Sequence, residues 1–369
     1  MMAASMDGIR AFGSAHRYFQ GPNALEMVGG VCAQLGDQPL LVCDGIVHDL
    51  VFPVASAACG AQGQTLPWAQ VRGEVTRAAV AALVQQARAD GAQVDVVIAA
   101  GGGKGVDSGK AVARELGAKL VVVPTSASND GPCSKSFVFY DDQHRMESVE
   151  HMARNPDVVL VDTTLLVQAP RALLVSGIGD ALCKLYEGNQ TRKAQGINLF
   201  GGCNTIAAEQ ISLACDRVIR EDSVAGLQAL AQGRPNAAFE RLTEALVLLS
   251  GLAFENSGLS IAHSITRGLP LVEGVGVSLH GQHVGYGLLV QFILEARTPE
   301  FMAQQLAFYR AVGLAVNLTQ LGAVTADKAT IRLVAQGTMT SPHIKHFERP
   351  LTQTDLEAAM HQLETMTSL

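Results

Sequence analysis

Val97-Ile98-Ala99-Ala100-Gly101-Gly102-Gly103-Lys104-Gly105-Val106-Asp107-Ser108-Gly109-Lys110 is the stretch that decides the fold. It places a glycine cluster directly after an apolar strand-like run and directly before a helix-like segment. Glycine lets a backbone approach a ligand closely, and a helix N-terminus offers unpaired N–H groups to an anion. The run fits neither common phosphate-loop pattern. Counting back from Gly109-Lys110, GxxxxGK[ST] needs glycine where Lys104 stands and a hydroxyl residue where Ala111 stands. GxGxxG begun at Gly103 would need glycine at Ser108. Position alone therefore argues for a pyrophosphate site, with a tight strand–helix turn as the plain alternative.

Around this turn, short apolar runs at residues 40–43, 94–99, 120–124 and 158–162 read as strands. They are continuous rather than alternating, as expected of parallel strands covered on both faces. Helical patterns at 23–35, 74–90 and 107–116 separate them, with Gly36 and Gly91 placed as C-cap glycines. Strand–helix alternation at this spacing predicts an open, parallel, Rossmann-like sheet. From Ala169 on, nearly everything reads as helix: 177–191, 204–221, 226–230, 236–254, 280–296, 301–311, 328–336 and 354–366. The expected organisation is an α/β dinucleotide-binding domain, 1–165, followed by an all-α domain, 166–369.

Two further strand ends carry candidate ligands. Asp44 closes the run Leu40-Leu41-Val42-Cys43, where a carboxylate can hold an adenosine ribose and disfavour a 2′-phosphate, or can simply cap the next helix. Pro124-Thr125-Ser126-Ala127-Ser128-Asn129-Asp130-Gly131-Pro132-Cys133-Ser134 sets small hydroxyl residues at a strand's carboxyl end, with Asp130 able to orient a substrate hydroxyl or to make a turn.

Composition narrows the class. Of 369 residues, 48% are hydrophobic and 17% charged, so a large core is available. The formal net charge of -7 comes with interspersed signs and no basic stripe, which argues against nucleic acid. No apolar run reaches the roughly 18–20 residues of a membrane helix, and residues 1–18 hold no signal-type apolar region. Seven scattered cysteines without a CxxC pair suit reduced thiols and a cytoplasmic location.

In the helical half, Gly177-Ile178-Gly179-Asp180-Ala181-Leu182 carries an acid among small residues. Ser260-Ile261-Ala262-His263 and Leu279-His280-Gly281-Gln282-His283 follow. Spacing alone makes this a weak metal site, although an Asp/His/His set leaves coordination positions open, as a catalytic ion needs.

These pieces occur together, in order, in one family. The chain resembles the glycerol dehydrogenases of the metal-dependent (iron-containing) alcohol dehydrogenase superfamily, which has a dehydroquinate synthase-like fold. The likeness runs from YFQGPNA at Tyr18–Ala24 to about Val290, carried by GGGKGVDSGK, PTSASNDGPCS, NPDVVLVD, GIGDAL, LLSGLAFENSGLSIAH and LHGQHVGYG. The resemblance implies a divalent ion, zinc before iron or another metal, on Asp180, His263 and His280. It implies NAD, with NADP as the other possibility, near Asp44, Gly102, Gly103, Lys104, Asp107, Thr125, Ser128, Ser134 and Tyr140, and polyol contact at Asp130. The implied reaction transfers a hydride between the nicotinamide and a small alcohol or polyol, such as glycerol or a 1,2-diol, in a homo-oligomer. The same chemistry on a 2-hydroxy or 2-oxo acid, or on a glycerol phosphate, is the alternative. A carbocyclic synthase lacks its basic phosphate ligands here, and a catalytically silent binding protein would have no reason to keep all three metal residues.

The chain departs from the family in places. Lys135-Ser136 follow the PCS tripeptide, Cys183-Lys184-Leu185-Tyr186 extends the GDAL helix, and Arg267 stands one turn after His263. If these cations faced the substrate they would favour an anion; solvated lysines on helix faces are the plainer expectation. His283 replaces a common lysine and, three residues after His280, is a candidate relay for the alcohol proton.

Overall fold

The computed structural model describes residues 9–89, 93–141 and 145–367. Among the described residues eight strands form: β1 Arg17–Gly21, β2 Pro39–Cys43, β3 Trp68–Gln70, β4 Val96–Gly101, β5 Lys119–Pro124, β6 Ser136–Tyr140, β7 Met146–His151 and β8 Val158–Asp162. Six make one parallel sheet in the order β1-β8-β5-β4-β2-β3, and β6 and β7 pair antiparallel beside it in sequence.

The central strands are what the apolar runs predict. Every residue of β2, β4 and β8 is buried. Each fully buried Val, Leu or Ile contributes about 1.5–3 kcal/mol, so these runs have no stable solvent-facing alternative. Strand order reverses at β2, which has β3 on one side and β4 on the other. Such a reversal opens a crevice at the carboxyl ends of the two strands. Asp44 follows β2, the glycine cluster follows β4, and Thr125 follows β5, so three neighbouring strands deliver the candidate ligands to the same edge.

Compact contacts divide the chain into two units that interleave along the sequence. One comprises Ser14–Pro170 and Ala229–Gly251; the other comprises Met1–Gly13, Arg171–Gln228 and Leu252–Leu369. The second segment of the sheet-bearing unit is tied in by side chains. Gln20 Nε2 donates to the Glu240 carbonyl at 2.8 Å, and Thr163 Oγ1 donates to Glu240 Oε1 at 2.6 Å.

Several boundaries differ from the sequence reading. The pattern at 23–35 splits into a 3-10 turn, Ala24–Met27, and the short helix Val28–Ala33. Gly36 is not a left-handed cap. A Cβ there would lie 2.4 Å from Asp95 Oδ1, and the Asp95 carboxylate accepts the N–H groups of Asp37 and Gln38, so close approach is what demands glycine. Gly91 lies outside the described residues. The predicted helices 204–221 and 226–230 are one helix, Ile206–Ala231, and 236–254 is interrupted by a widened turn, Ala245–Leu249. Among the described residues, no single helix is long and apolar enough to cross a membrane.

Candidate metal and cofactor site

Three helices supply the metal candidates. Asp180 sits near the end of Arg171–Leu182, His263 on the single turn Ile261–Ser264, and His280 opens His280–Leu294. Glycines bring them together. A Cβ on Gly281 would lie 1.7 Å from the Ser176 carbonyl oxygen, and one on Gly179 would lie 2.2 Å from that of Gly281. The two backbones therefore touch, next to Asp180 and His280. Gly287 makes the same kind of approach to Ala262, where a Cβ would meet the carbonyl oxygen at 2.5 Å, and so seats the turn bearing His263.

The resulting donors are one carboxylate oxygen and two imidazole nitrogens, all within 4.8 Å of one another. His263 Nε2 lies 3.3 Å and His280 Nε2 3.9 Å from Asp180 Oδ1. Mixed N and O donors in this number fit a catalytic divalent ion, with positions left for exogenous ligands. Asp180 is fully buried while the His280 side chain is half exposed, so the set is anchored inside and open outside. Burial alone would raise the Asp180 carboxyl, but Lys184, His263 and His280 hold it well below the usual carboxylate range.

A second cluster, Cys183, Glu187 and His263, also has its donors within 4.8 Å. One observation argues against it as the metal set. His263 Nδ1 is bonded to Glu187 Oε2 at 2.6 Å, which leaves Nε2 as the nitrogen facing Asp180. Glu187, absent from the sequence reading, is fully buried and also accepts the backbone N–H groups of Ser260 at 2.8 Å and His263 at 2.9 Å. It orients the histidine, as carboxylates behind metal-binding imidazoles do.

At the sheet edge, the helix Gly103–Leu116 begins at Gly103, four residues earlier than the sequence pattern suggests. Gly101 has φ 143, and a Cβ on Gly105 would lie 2.4 Å from the Ala100 carbonyl oxygen. The turn thus requires glycine on steric grounds. The first N–H groups of this helix have no acceptor within the helix and suit an anion. Lys104 pairs with Glu74. Asp44 accepts the Val47 N–H at 2.9 Å and caps the helix Gly45–Gly60. A carboxylate's second oxygen lets capping and ribose binding coexist.

The other cofactor candidates vary in access. Thr125, Asp130 and Tyr140 are partly exposed, whereas Ser128 and Ser134 are buried. Ser134 Oγ belongs to a closed network with Lys110 Nζ and the Gly131 and Ser136 carbonyls, so it holds the 131–136 loop together. Asp107 Oδ2 accepts the Val138 N–H at 3.0 Å, and burial pushes its carboxyl up to about 6. Because an unfolded Asp releases its proton near pH ~3.9, the folded state binds more protons between that pH and about 6. Stability contributed by this group should therefore fall as pH rises through that window. Denaturant titrations at several pH values should show Asp107→Asn removing this part of the slope; an unchanged slope would locate the titration elsewhere.

His283 is buried, with Nε2 2.8 Å from Ser278 Oγ and 3.1 Å from the Val275 carbonyl, and burial lowers it to about 4. Nε2 is thereby tied to the 275–278 turn. Arg267 is exposed and Lys135 partly so. Lys184 is no solvated lysine: its ammonium is buried against Asp180.

A glycine turn at a sheet's switch point and an Asp–His–His donor set are the two features that a nicotinamide-linked, metal-dependent oxidoreductase of alcohols would require. The sequence profile described as iron-containing alcohol dehydrogenase matches residues 15–163. The chain is 32% identical over 340 residues to the glycolaldehyde reductase of Halobacterium salinarum, covering 91% of this chain and 92% of that one. It is 31% identical over 349 residues to the glycerol dehydrogenase of Thermotoga maritima, covering 93% and 94%. The crystal structure of a probable glycerol dehydrogenase from Sinorhizobium meliloti superposes with a TM-score of 0.90 at 32% identity, covering 97% of this chain and 99% of that one. The chain belongs to the iron-containing alcohol dehydrogenase family, whose members bind a metal and a nicotinamide cofactor.

Proposed function

We propose that the protein interconverts a small vicinal diol and its hydroxycarbonyl, with NAD as hydride partner and zinc on Asp180, His263 and His280. The observation that carries this reading is the convergence of those three donors within 4.8 Å, anchored inside and open outside. When bound, the ion supplies Lewis acidity to the substrate oxygen and the nicotinamide supplies the hydride acceptor.

The chain's own residues do the positioning. Gly102, Gly103 and Lys104 receive the pyrophosphate at the helix start, with Asp107, Thr125, Ser128, Ser134 and Tyr140 shaping the surroundings. Asp44 receives the adenosine ribose, and its charge disfavours a 2′-phosphate. Asp130 orients the second hydroxyl of a diol. The division proposed is cofactor binding by residues 1–165 and metal binding by 166–369, in a cytoplasmic homo-oligomer. Seven cysteines, none in a disulfide, fit a reducing compartment.

Of the three cations that would favour an anionic substrate, Lys135, Lys184 and Arg267, the engagement of Lys184 with Asp180 takes one out of that argument. The test is steady-state NAD reduction by zinc-loaded protein with glycerol, 1,2-propanediol, 2-hydroxybutyrate and glycerol 1-phosphate, each repeated with NADP. Neutral diols with NAD should give the highest kcat/KM. Preference for either anion would move the substrate to hydroxy acids or phosphates, and equal use of NADP would remove the ribose role from Asp44.

A further inference from the structure

The metal candidates share their pocket with a cation that the chain itself provides. Lys184 Nζ lies 3.0 Å from Asp180 Oδ1, and both side chains are 1% exposed. That oxygen is also the one 3.3 Å from His263 Nε2 and 3.9 Å from His280 Nε2. The helix Arg171–Leu182 ends just before Cys183 and a new helix, Lys184–Lys193, starts at the lysine. The ammonium lies over the face of the Phe254 ring, 5.6 Å from its centre, a cation–π contact.

We propose that Lys184 is a built-in counter-cation that sets the divalent-ion affinity of this site. Resting on the assignment of Asp180, His263 and His280 as ligands, the argument is electrostatic. A buried carboxylate without a partner is costly, and the ammonium 3.0 Å away gives the Asp180 carboxylate a partner that holds it in place when no ion is bound. The same charge opposes the arrival of a second cation at the same oxygen, in surroundings where water screens poorly. The site is thereby preorganised, and its hold on the ion is weaker than the Asp–His–His set alone would give. An enzyme of this kind exchanges its ion readily and loses it to mild chelators.

The test measures zinc and cobalt dissociation constants by competition with a chromophoric chelator, alongside thermal midpoints with and without ion. The variants are Lys184→Met, which keeps the stem volume, and Lys184→Gln, which keeps a neutral donor for Asp180. Both should bind either ion at least about tenfold tighter, a step of 1.4 kcal/mol. Their ion-free forms should melt lower than wild type and gain more on loading. Lys184→Arg, which keeps the charge, should stay near wild type. If Lys184→Met folds only when loaded, Lys184→Gln and chelator competition from the loaded state give the same constant. Unchanged or weaker affinity in the neutral variants would overturn the proposal while leaving the ligand assignment standing. Failure of wild type and both neutral variants to bind any divalent ion would instead overturn the ligand assignment, and the proposal with it.

Discussion

Replacing Glu187 with glutamine should weaken divalent-ion binding by about ten- to a hundredfold in a protein that still folds. The carboxylate works on both sides. Oε1 takes the N–H groups of Ser260 and His263, and Oε2 takes His263 Nδ1. Burial alone would raise this acid, but the facing His263 ring holds it down at about 2. Glutamine preserves one acceptor for the backbone and puts an amide donor against Nδ1. The ring must then accept at Nδ1 and carry its proton on Nε2, the nitrogen that faces Asp180. A protonated Nε2 cannot ligate a metal. Chelator competition checks this: affinity equal to wild type would reduce Glu187 to a brace for the 260–263 turn. The effect has the opposite sign to that of the Lys184 variants, so global loosening of the pocket cannot explain both.

The difference between these two residues and the metal ligands shows what a sequence can carry. Four central strands were legible because burial on both faces forces continuous apolar runs. β1 and β3 were not: β1 is a half-buried edge strand reading Arg-Tyr-Phe-Gln-Gly, and β3 has three residues. The hairpin strand β7 reads Met-Glu-Ser-Val-Glu-His because its acids face Arg77 and Arg114, so charge hid it. The helix Gly45–Gly60 was concealed by Pro53, although Asp44 gave a capping signal. Asp180, His263 and His280 are far apart in sequence, and only the motifs around them, read through a family resemblance, put them together. Glu187 left one unused trace. In a helix read as continuous over 177–191, Asp180, Lys184 and Glu187 fall at i, i+4 and i+7, on one face. Three ionisable residues in line on a helix otherwise rich in small and apolar residues already pointed to a buried polar cluster. The break at Cys183 alters the path of the chain, and all three still meet around His263 and Asp180.

Substituting alanine for Gly281 should cost ~3 kcal/mol of stability and abolish divalent-ion binding. The added methyl would lie 1.7 Å from the Ser176 carbonyl oxygen, and the atoms next nearest to it also belong to the Ser176 backbone. No rotamer change can relieve a clash with backbone. The start of His280–Leu294 must therefore move away from Arg171–Leu182, carrying His280 away from Asp180. Gly30 supplies the control, since it too lies within a helix but a Cβ there meets nothing within 4 Å. Gly30→Ala should be neutral or stabilising by up to about 1 kcal/mol, because alanine loses less backbone entropy on folding. Chemical denaturation gives the stabilities, and zinc titration at a temperature where the variant is folded separates misplacement of His280 from simple unfolding. A Gly281→Ala protein that melts below wild type yet binds zinc normally would show that the crossing supports the fold without setting the ligand geometry. One that loses zinc while mostly folded would place the specificity of the site in a contact between two backbones, made possible by residues with no side chain at all.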